Sequence, residues 1–230
     1  MTDRSRALFL ASTLALLFGL GLWATAVEAQ NCAGTFPATG QTTSYSASTR
    51  TETGAPVLDD GAVQAGGALS YQDNGDGTIT DPNTQLMWEK KSQDGSLHDV
   101  SMTFPYASST ITTIWDWLAR VNAEDGIGFA GYNDWRIPNV KELQSVVDYG
   151  TFDPAVDPAF NNGVSPACTV LTCSATASDS YWSSSALAKF PEKAWIVTFY
   201  LGTDFGEYKL FDPGYSHFHF VRAVRGGCVP

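Results

Sequence analysis

Three carboxylates in a glycine-rich segment are of the type that binds hard cations. Asp73, Asp76 and Asp81 lie within DNGDGTITD, and carboxylate oxygens are the ligands that calcium prefers. The EF-hand pattern fails, however, because Gln72 stands where the first aspartate should be and Asn83 where the bidentate glutamate should be. We therefore expect a hairpin turn that uses these side chains locally. No cofactor is expected for the chain, and the ligand spacing does not support calcium.

Two histidines are placed where they could share a metal ion. His217 and His219 are two residues apart on a predicted strand, so both side chains leave the same face. Asp212 or Glu207 would have to join them, and no third ligand stands at a diagnostic spacing. We interpret the pair as solvent-facing strand histidines and predict no metal site.

Four cysteines could form disulfides or a metal site. An even number of cysteines in an exported chain indicates disulfides, with three pairings open. Cys168 and Cys173 are close enough to close the loop of residues 166–174, which leaves Cys32 for Cys228. Zinc is disfavoured because no histidine lies near the first two. We predict the disulfides Cys168–Cys173 and Cys32–Cys228.

The remaining polar clusters do not predict catalysis. Neither G-x-S-x-G nor H-E-x-x-H occurs, so the hydroxyl-rich segment YWSSS at residues 181–185 contains no recognisable nucleophile. Asp134, Trp135 and Arg136 could form a platform for a sugar ring. The favoured interpretation is that Trp135 lies in the core, since seven tryptophans in one small domain must mostly pack inside, and that the flanking charges pair with each other or with backbone ends.

The N-terminus predicts export. Arg4 and Arg6 precede an apolar run at residues 7–26, and small residues allow cleavage before Gln30. The alternative is an uncleaved anchor, which needs about 20 apolar residues. We expect a signal peptide at residues 1–29, a Thr/Ser/Gly-rich leader at 30–69 that lies on the domain, and a domain at 70–228. The mature chain would then be periplasmic, secreted or on the cell surface, without a membrane span.

The charge of the chain excludes some partners. Thirteen basic and 24 acidic residues give a net charge of −11. Such a surface repels phosphate backbones and anionic lipid, so nucleic acid is not an expected partner.

The periodicity of the remaining sequence predicts an α+β fold. A small meander is expected over residues 68–89, and a three-stranded antiparallel meander over 194–201, 206–211 and 217–225. A capping box of Asn139 and Glu142 begins one helix, and an irregular stretch follows at 151–190. The two helices should flank one twisted antiparallel sheet. The apolar stripe of the other helix comprises Ile111, Ile114, Trp115, Leu118 and Val121.

Five ordered segments carry a family resemblance. The chain resembles the C-terminal domain of a Legionella collagen-like adhesin, a bacterial domain of unknown function, over about residues 70–227. The resemblance implies a C-type-lectin-like fold, related also to formylglycine-generating enzymes, and a role at the cell exterior. That adhesin binds sulfated polysaccharides, but the acidic charge and the absence of collagen repeats here argue against polyanion binding. The segments are DNGDGTITD (residues 73–81), LMW (86–88), GYNDWRIP (131–138), YWSSS (181–185) and FVRAVRG (220–226).

These observations predict a non-catalytic binding or adhesion module whose partner is a glycan or an extracellular protein surface. Its contact residues are predicted to be Tyr181, Tyr208, Lys209 and Tyr215, because aromatic and hydrogen-bonding side chains on rigid turns suit sugars or peptides. One alternative is an oxidase related to formylglycine-generating enzymes, which would need a reactive thiol. The other alternative is a structural subunit of a surface assembly.

Overall fold

The computed structural model describes residues 36–44, 59–163, 165, 167–211 and 217–227, and these form a mixed α+β architecture. The predicted α+β class is confirmed, but the described residues form two sheets rather than one. The strands are β1 (Gln72–Asp73), β2 (Thr78–Asp81), β3 (Leu86–Glu89), β4 (Thr103–Phe104), β5 (Ser180–Leu187), β6 (Phe190–Thr198), β7 (Thr203–Tyr208), β8 (His219–Phe220) and β9 (Val224–Gly226). The helices are α1 (Asp60–Val63), α2 (Ile114–Ala123), α3 (Val140–Ser145) and short 3₁₀ turns at Glu124–Gly126, Phe129–Gly131 and Pro158–Phe160.

The first sheet has the strand order β1-β2-β3-β9 and contains the predicted opening meander. Strands β1 and β2 pair antiparallel across the turn of residues 74–77, and β2 pairs with β3. Gly75 and Gly77 have φ values of 77° and 96°, which glycine adopts without strain. The meander was expected to begin with a strand at residues 68–71, but its first strand lies at Gln72–Asp73.

The second sheet has the order β4-β8-β5-β6-β7, and it corrects the predicted three-stranded meander. The β6–β7 hairpin is present, but the third predicted strand is divided between two sheets. Its first part, β8, pairs with β4 and β5, whereas β9 pairs with β3 in the first sheet. Between them Val221, Arg222 and Ala223 are buried. The apolar run therefore supplies both cores instead of one edge of a sheet.

Strand β5 was not predicted, because it lies in the stretch expected to be irregular. The three consecutive serines at residues 183–185 make it look like a loop, yet each of these three hydroxyls has a partner. Ser183 donates to the carbonyl of Trp195 at 2.7 Å, and Ser185 accepts from the backbone N–H of Val140 at 3.1 Å. Hydrogen-bonded hydroxyls can be placed in the middle of a sheet without the cost of an unsatisfied polar group.

Both long helices begin with a capping box. Thr113 and Asp116 cap α2, and Asn139 and Glu142 cap α3 as predicted. Leu143 of α3 is fully buried, and so are Val146 and Val147 directly after the helix. For α2 the predicted stripe is partly wrong: Trp115 is 41 % exposed, and the neighbouring Trp117 is fully buried and donates its indole N–H to the carbonyl of Leu97.

The core consists of two clusters, and β5 contributes to both. Tyr181 belongs to the cluster that contains Trp88 and Leu143, whereas the next residue, Trp182, belongs to the cluster around Trp117. Successive strand side chains point to opposite faces, so one strand can separate and support two cores.

Residues 36–44 lie against the body of the domain. The backbone N–H of Tyr149 donates to the carbonyl of Thr39 at 2.7 Å, and within the predicted leader the N–H of Ala38 donates to the carbonyl of Gly67 at 2.7 Å. The predicted signal peptide lies outside the described residues. In the part of the chain that the structure describes, no helix is long and apolar enough to cross a bilayer.

Candidate binding surfaces

The structure separates the predicted contact residues. Tyr181 is fully buried, with its ring 5.0 Å from that of Phe199 and its hydroxyl oxygen accepting from the backbone of Ala177. This corrects its predicted role, since a side chain in the core cannot touch an external ligand. Tyr208 and Lys209 lie at the surface at the end of β7, and Tyr215 lies outside the described residues.

Tyr208 and Lys209 each lie in a partly exposed cluster of aromatic and lysine side chains, and we call the two clusters together the aromatic–lysine surface. The Nζ atom of Lys193 lies 4.1 Å from the ring centroid of Tyr208, and Lys209 Nζ lies 5.4 Å from that of Tyr106. Trp115 meets Tyr106 edge to face, with 5.3 Å between ring centroids. Because neighbouring strand residues point to opposite sides, the surface has two parts that adjoin where Lys209 follows Tyr208: one comprises Lys193 and Tyr208, and the other Tyr106, Trp115 and Lys209.

Backbone pairing holds this surface in place. Ala107 donates to the carbonyl of Lys209 at 2.9 Å, and Phe211 donates to the carbonyl of Ala107 at 3.0 Å. Lys209 also donates from Nζ to the carbonyl of Pro191 at 2.8 Å. From beneath, Tyr106 packs against the buried ring of Trp182, at 5.4 Å between centroids. Aromatic rings fixed in this way can stack on a ligand without losing much conformational entropy.

The disulfide predicted within the irregular stretch is present. Cys168 and Cys173 are bonded, with their Cα atoms 5.9 Å apart. The prediction of a closed loop at residues 166–174 is therefore confirmed. The second predicted pair, Cys32 and Cys228, lies outside the described residues.

The aspartates of the DNGDGTITD segment serve the turns. Asp76 accepts from the backbone of Thr78 at 3.0 Å, and Asp81 accepts from that of Asn83 at 2.8 Å. Asp73 accepts from Gly75 at 2.9 Å. No group of three His, Cys, Asp or Glu side chains suited to a metal occurs among the described residues. These contacts agree with the predicted hairpin turn.

The Asp134-Trp135-Arg136 segment follows the favoured interpretation for Trp135 and departs from it for the two charges. Trp135 is buried and donates its indole N–H to the carbonyl of Phe129 at 2.9 Å. The flanking charges are paired, but with distant partners instead of each other. Asp134 accepts from Arg225 at 2.7 Å, and Arg136 donates twice to Glu142, at 2.6 and 2.7 Å.

The two predicted solvent-facing histidines are less open than expected. His217 Nδ1 lies 3.0 Å from a carboxylate oxygen of Glu207. His219 is partly covered by Trp182, with 4.8 Å between ring centroids. Burial lowers the pKa of His219, because the charged imidazolium loses hydration there. The prediction of two exposed histidines is therefore wrong for His219.

A buried charge network lies under the first sheet, and sequence reasoning missed it. Glu89 is fully buried and accepts from Lys91 at 2.9 Å, from the ring of His98 at 2.6 Å and from the backbone of Ala223 at 2.7 Å. The other ring nitrogen of His98 lies 2.9 Å from a carboxylate oxygen of Glu124. The only sequence signal was the placement of charges directly after the apolar strand LMW.

Arg222 completes this network from the segment between β8 and β9. Its guanidinium donates to the carbonyl of Glu89 at 2.7 Å, to that of Ala175 at 2.7 Å and to the hydroxyl of Thr176 at 2.9 Å. Lys90 and Lys91 are both buried, so neither is part of an exposed basic patch.

The electrostatics of the network are those of a closed structural cluster. Burial alone would raise the pKa of Glu89, but Lys91, His98 and the Ala223 N–H outweigh it and lower this pKa to about 2. His98 responds in the opposite direction: burial opposes its charge, yet the Glu89 hydrogen bond and charge raise its pKa. Glu89, Lys91 and His98 are paired and buried, and the buried Arg222 donates to carbonyls and a hydroxyl, which suits fold stability better than contact with a ligand.

Comparison with known proteins confirms the resemblance. The family model described as the Lcl C-terminal domain matches residues 77–225. No curated protein and no solved structure matches the chain significantly. The matched range contains both sheets except β1 and the last residue of β9.

Proposed function

Because the chain belongs to the Lcl C-terminal domain family, an adhesion-related family, we propose that it is an exported, non-catalytic adhesion module that recognises carbohydrate. Its ligand is a glycan at the cell exterior, and its fold is of the C-type-lectin kind. The observation that carries this proposal is the aromatic–lysine surface. Tyr208 is 47 % exposed and Trp115 41 % exposed, so their rings are open to solvent on an otherwise hydrogen-bonded frame.

The surface fits a sugar chain by its shape and chemistry. Rigid aromatic rings offer flat apolar area to the C–H face of a sugar, and neighbouring amines can donate to its hydroxyls. Lys193 and Lys209 supply those donors next to the rings. A neutral glycan is the favoured ligand, because Glu192 and Glu207 neighbour the lysines on β6 and β7 and the whole chain is acidic.

Export without catalysis is part of the proposal. The Cys168–Cys173 disulfide supports an oxidising compartment, because such bonds are rare in reducing cytosol. The alternative oxidase would need a reactive thiol, and neither cysteine within the described residues is free to serve. A thiol titration of the folded protein tests the point for all four cysteines: the proposal expects none to react.

A glycan array with matched variants tests the binding proposal. Tyr208→Ala and Trp115→Ala should each weaken the strongest glycan signal by about tenfold, since an exposed stacking ring contributes roughly 1–2 kcal/mol. Phe152→Ala is the control, because Phe152 is 72 % exposed but its loop lies at the other end of β7, where Asp153 bonds Tyr200. An array without any signal, or variants that bind as well as the wild type, would contradict the proposal. Binding only to copies of the chain or to a protein would support a structural subunit instead.

A further inference from the structure

The solvent-facing side of the first sheet contains an open row of side chains. Thr80, Met87 and Arg225 are direct cross-strand neighbours on β2, β3 and β9. The residues on the opposite side of the same strands, such as Ile79 and Trp88, form the core. Pleating alternates side chains between the two faces, so the row is a consequence of register.

The next row on the same face is closed. Glu89 pairs with Thr78 across β2 and β3, and both are fully buried where the charge network covers them. The sheet face is thus covered at one end and open at the other. Asp134 reaches over the open end from the loop before α3 and joins Arg225.

The open end is a groove with a volume of about 370 Å³. Cavities of ligand-binding size begin at roughly 300 Å³, so the groove holds one small molecule or the terminal unit of a longer one. Four of the five sequence segments that carry the family resemblance supply a lining residue, and YWSSS does not. The lining side chains used below are Thr80, Gln85, Met87, Asp134 and Arg225.

Arg225, the cationic side chain in the groove, already has a carboxylate partner. The Nε and Nη2 atoms of Arg225 donate to both carboxylate oxygens of Asp134, at 2.7 and 3.1 Å. Its Nη1 atom lies 3.6 Å from the sulfur of Met87, and its guanidinium stacks 3.7 Å from the ring centroid of Tyr132. An anionic ligand would have to displace the carboxylate of Asp134, whose pKa the Arg225 hydrogen bond lowers, so that it stays ionised.

The groups left for a ligand are acceptors, one amide and an apolar floor. The side chain of Asp134 is 57 % exposed and keeps lone pairs that Arg225 does not use. The side-chain amide of Gln85 is exposed and makes no hydrogen bond to the described residues. Met87 offers a thioether surface in the same groove. This arrangement suits a ligand that donates from several hydroxyls and has an apolar face.

We propose that the groove is a second ligand site, separate from the aromatic–lysine surface, that binds a neutral sugar residue. The hydroxyls of the sugar donate to Asp134 and bond the amide of Gln85, and its C–H face lies on Met87. An acidic sugar binds less well because its carboxylate meets that of Asp134. The inference does not rest on the role of Tyr208, since the two sites share no residue.

Methionine methyl NMR of the full chain tests this site directly. The sequence contains three methionines, so the Met87 signal can be assigned and Met102 serves as an internal control. Neutral hexoses and glucuronate are titrated separately. We expect neutral hexoses to shift the Met87 methyl signal and not that of Met102, with glucuronate about fivefold weaker or more, as expected for an added like-charge contact. No Met87 response to any hexose, or a tighter response to glucuronate, would overturn the proposal.

A pair of matched glycine variants distinguishes binding in the groove from sugar binding elsewhere on the protein. Gln85 has φ 60° and Gln64 has φ 47°, so glycine fits both positions without backbone strain. Gln85→Gly removes the side chain that carries the amide and should weaken hexose binding by about fivefold, the value of one ligand hydrogen bond, whereas Gln64→Gly should not change it. Tyr208→Ala should leave the Met87 response intact. If Tyr208→Ala abolishes it and Gln85→Gly does not, hexoses bind at the aromatic–lysine surface only and the groove proposal is wrong.

Discussion

At the level of single residues, the burial of Glu89 explains how one core tolerates four charges. Lys91, His98 and a backbone N–H surround its two carboxylate oxygens, and the guanidinium of Arg222 donates to carbonyls and one hydroxyl. Breaking a buried pair leaves an uncompensated charge, whereas the intact cluster fixes the relative positions of the groups that join it. Here it fixes β3 against the segment before β9 and against the end of α2.

The histidines predict a pH dependence with opposite signs. The pKa of His98 is raised above 6.5, so its contribution to stability is complete below pH 6.5 and is lost as pH rises through the folded pKa. The pKa of His219 is lowered, so the unfolded chain binds that proton first and stability falls as pH drops below 6.5. In the wild-type protein, His98 should cause the free energy of unfolding to decline at alkaline pH, and His219 should cause it to decline at acidic pH. His98→Gln should therefore remove the first decline, and His219→Gln the second.

Urea unfolding between pH 5 and pH 9 measures both effects as differences from the wild type. The wild-type minus His98→Gln difference should shrink as pH rises. The wild-type minus His219→Gln difference should shrink as pH falls. Difference curves that are flat, or that have the same sign, would show that these rings do not titrate with folding.

At the level of elements, the start of α3 is the part that the sequence specifies most completely. The side chain of Asn139 accepts from the N–H of Glu142 at 3.0 Å, and the carboxylate of Glu142 accepts from the N–H of Asn139 at 2.8 Å. The same carboxylate binds Arg136 at the sheet bridge to Val224. One short helix is thereby joined to the first sheet.

Loss of this cap should have a defined cost. Asn139→Ala should lower the free energy of unfolding by about 1 kcal/mol, because it leaves a helix N–H without its acceptor. Asn133→Ala is the control, since Asn133 is exposed and makes no hydrogen bond to the described residues, and its effect should stay within about 0.5 kcal/mol. Urea midpoints of the two variants provide the comparison. Equal midpoints would mean that α3 is held by packing alone.

Local rules predicted some elements of this fold and not others. Turn chemistry placed the opening meander, and cap chemistry placed α3, because both depend on neighbouring residues. Helical spacing could not distinguish Trp115 from Trp117 as the buried ring of α2. It also could not show that the serines of β5 find partners on other elements, or that FVRAVRG divides between two sheets.

The same limit applies to the candidate sites. Tyr208 and Lys209 were predicted from residue type, and so was Tyr181, which only tertiary packing places in the core. Charged residues such as Glu89 and Lys91 are typical of a surface, and nothing in the local sequence indicates that His98 and Arg222 will contact them. Sites assembled from several elements are visible only once the sheets are paired.

At the level of the whole molecule, the folded unit extends before the matched range. Thr39 contacts Asp60 through their side chains, and Tyr149 bonds the leader backbone. Gly40 has φ 85°, and a Cβ there would collide with the carboxylate of Asp148. The close approach of the leader to the domain body therefore requires glycine at this position.

Gly40→Ala should release residues 36–44 from the domain. Hydrogen exchange at the amide of Tyr149 should rise by about tenfold or more, because this amide bonds Thr39 across the contact that the new methyl group opens. Exchange at Ala38, which bonds Gly67 within the leader, should rise with it. Gly75→Ala is the control: Gly75 has φ 77°, but nothing lies within 4 Å of its Cβ position, so it carries the backbone cost without the collision. If these two amides are equally protected from exchange in Gly40→Ala and Gly75→Ala, the leader follows the surface without packing on it. If only Gly40→Ala loses protection, the leader is part of the same cooperative structure as the two sheets.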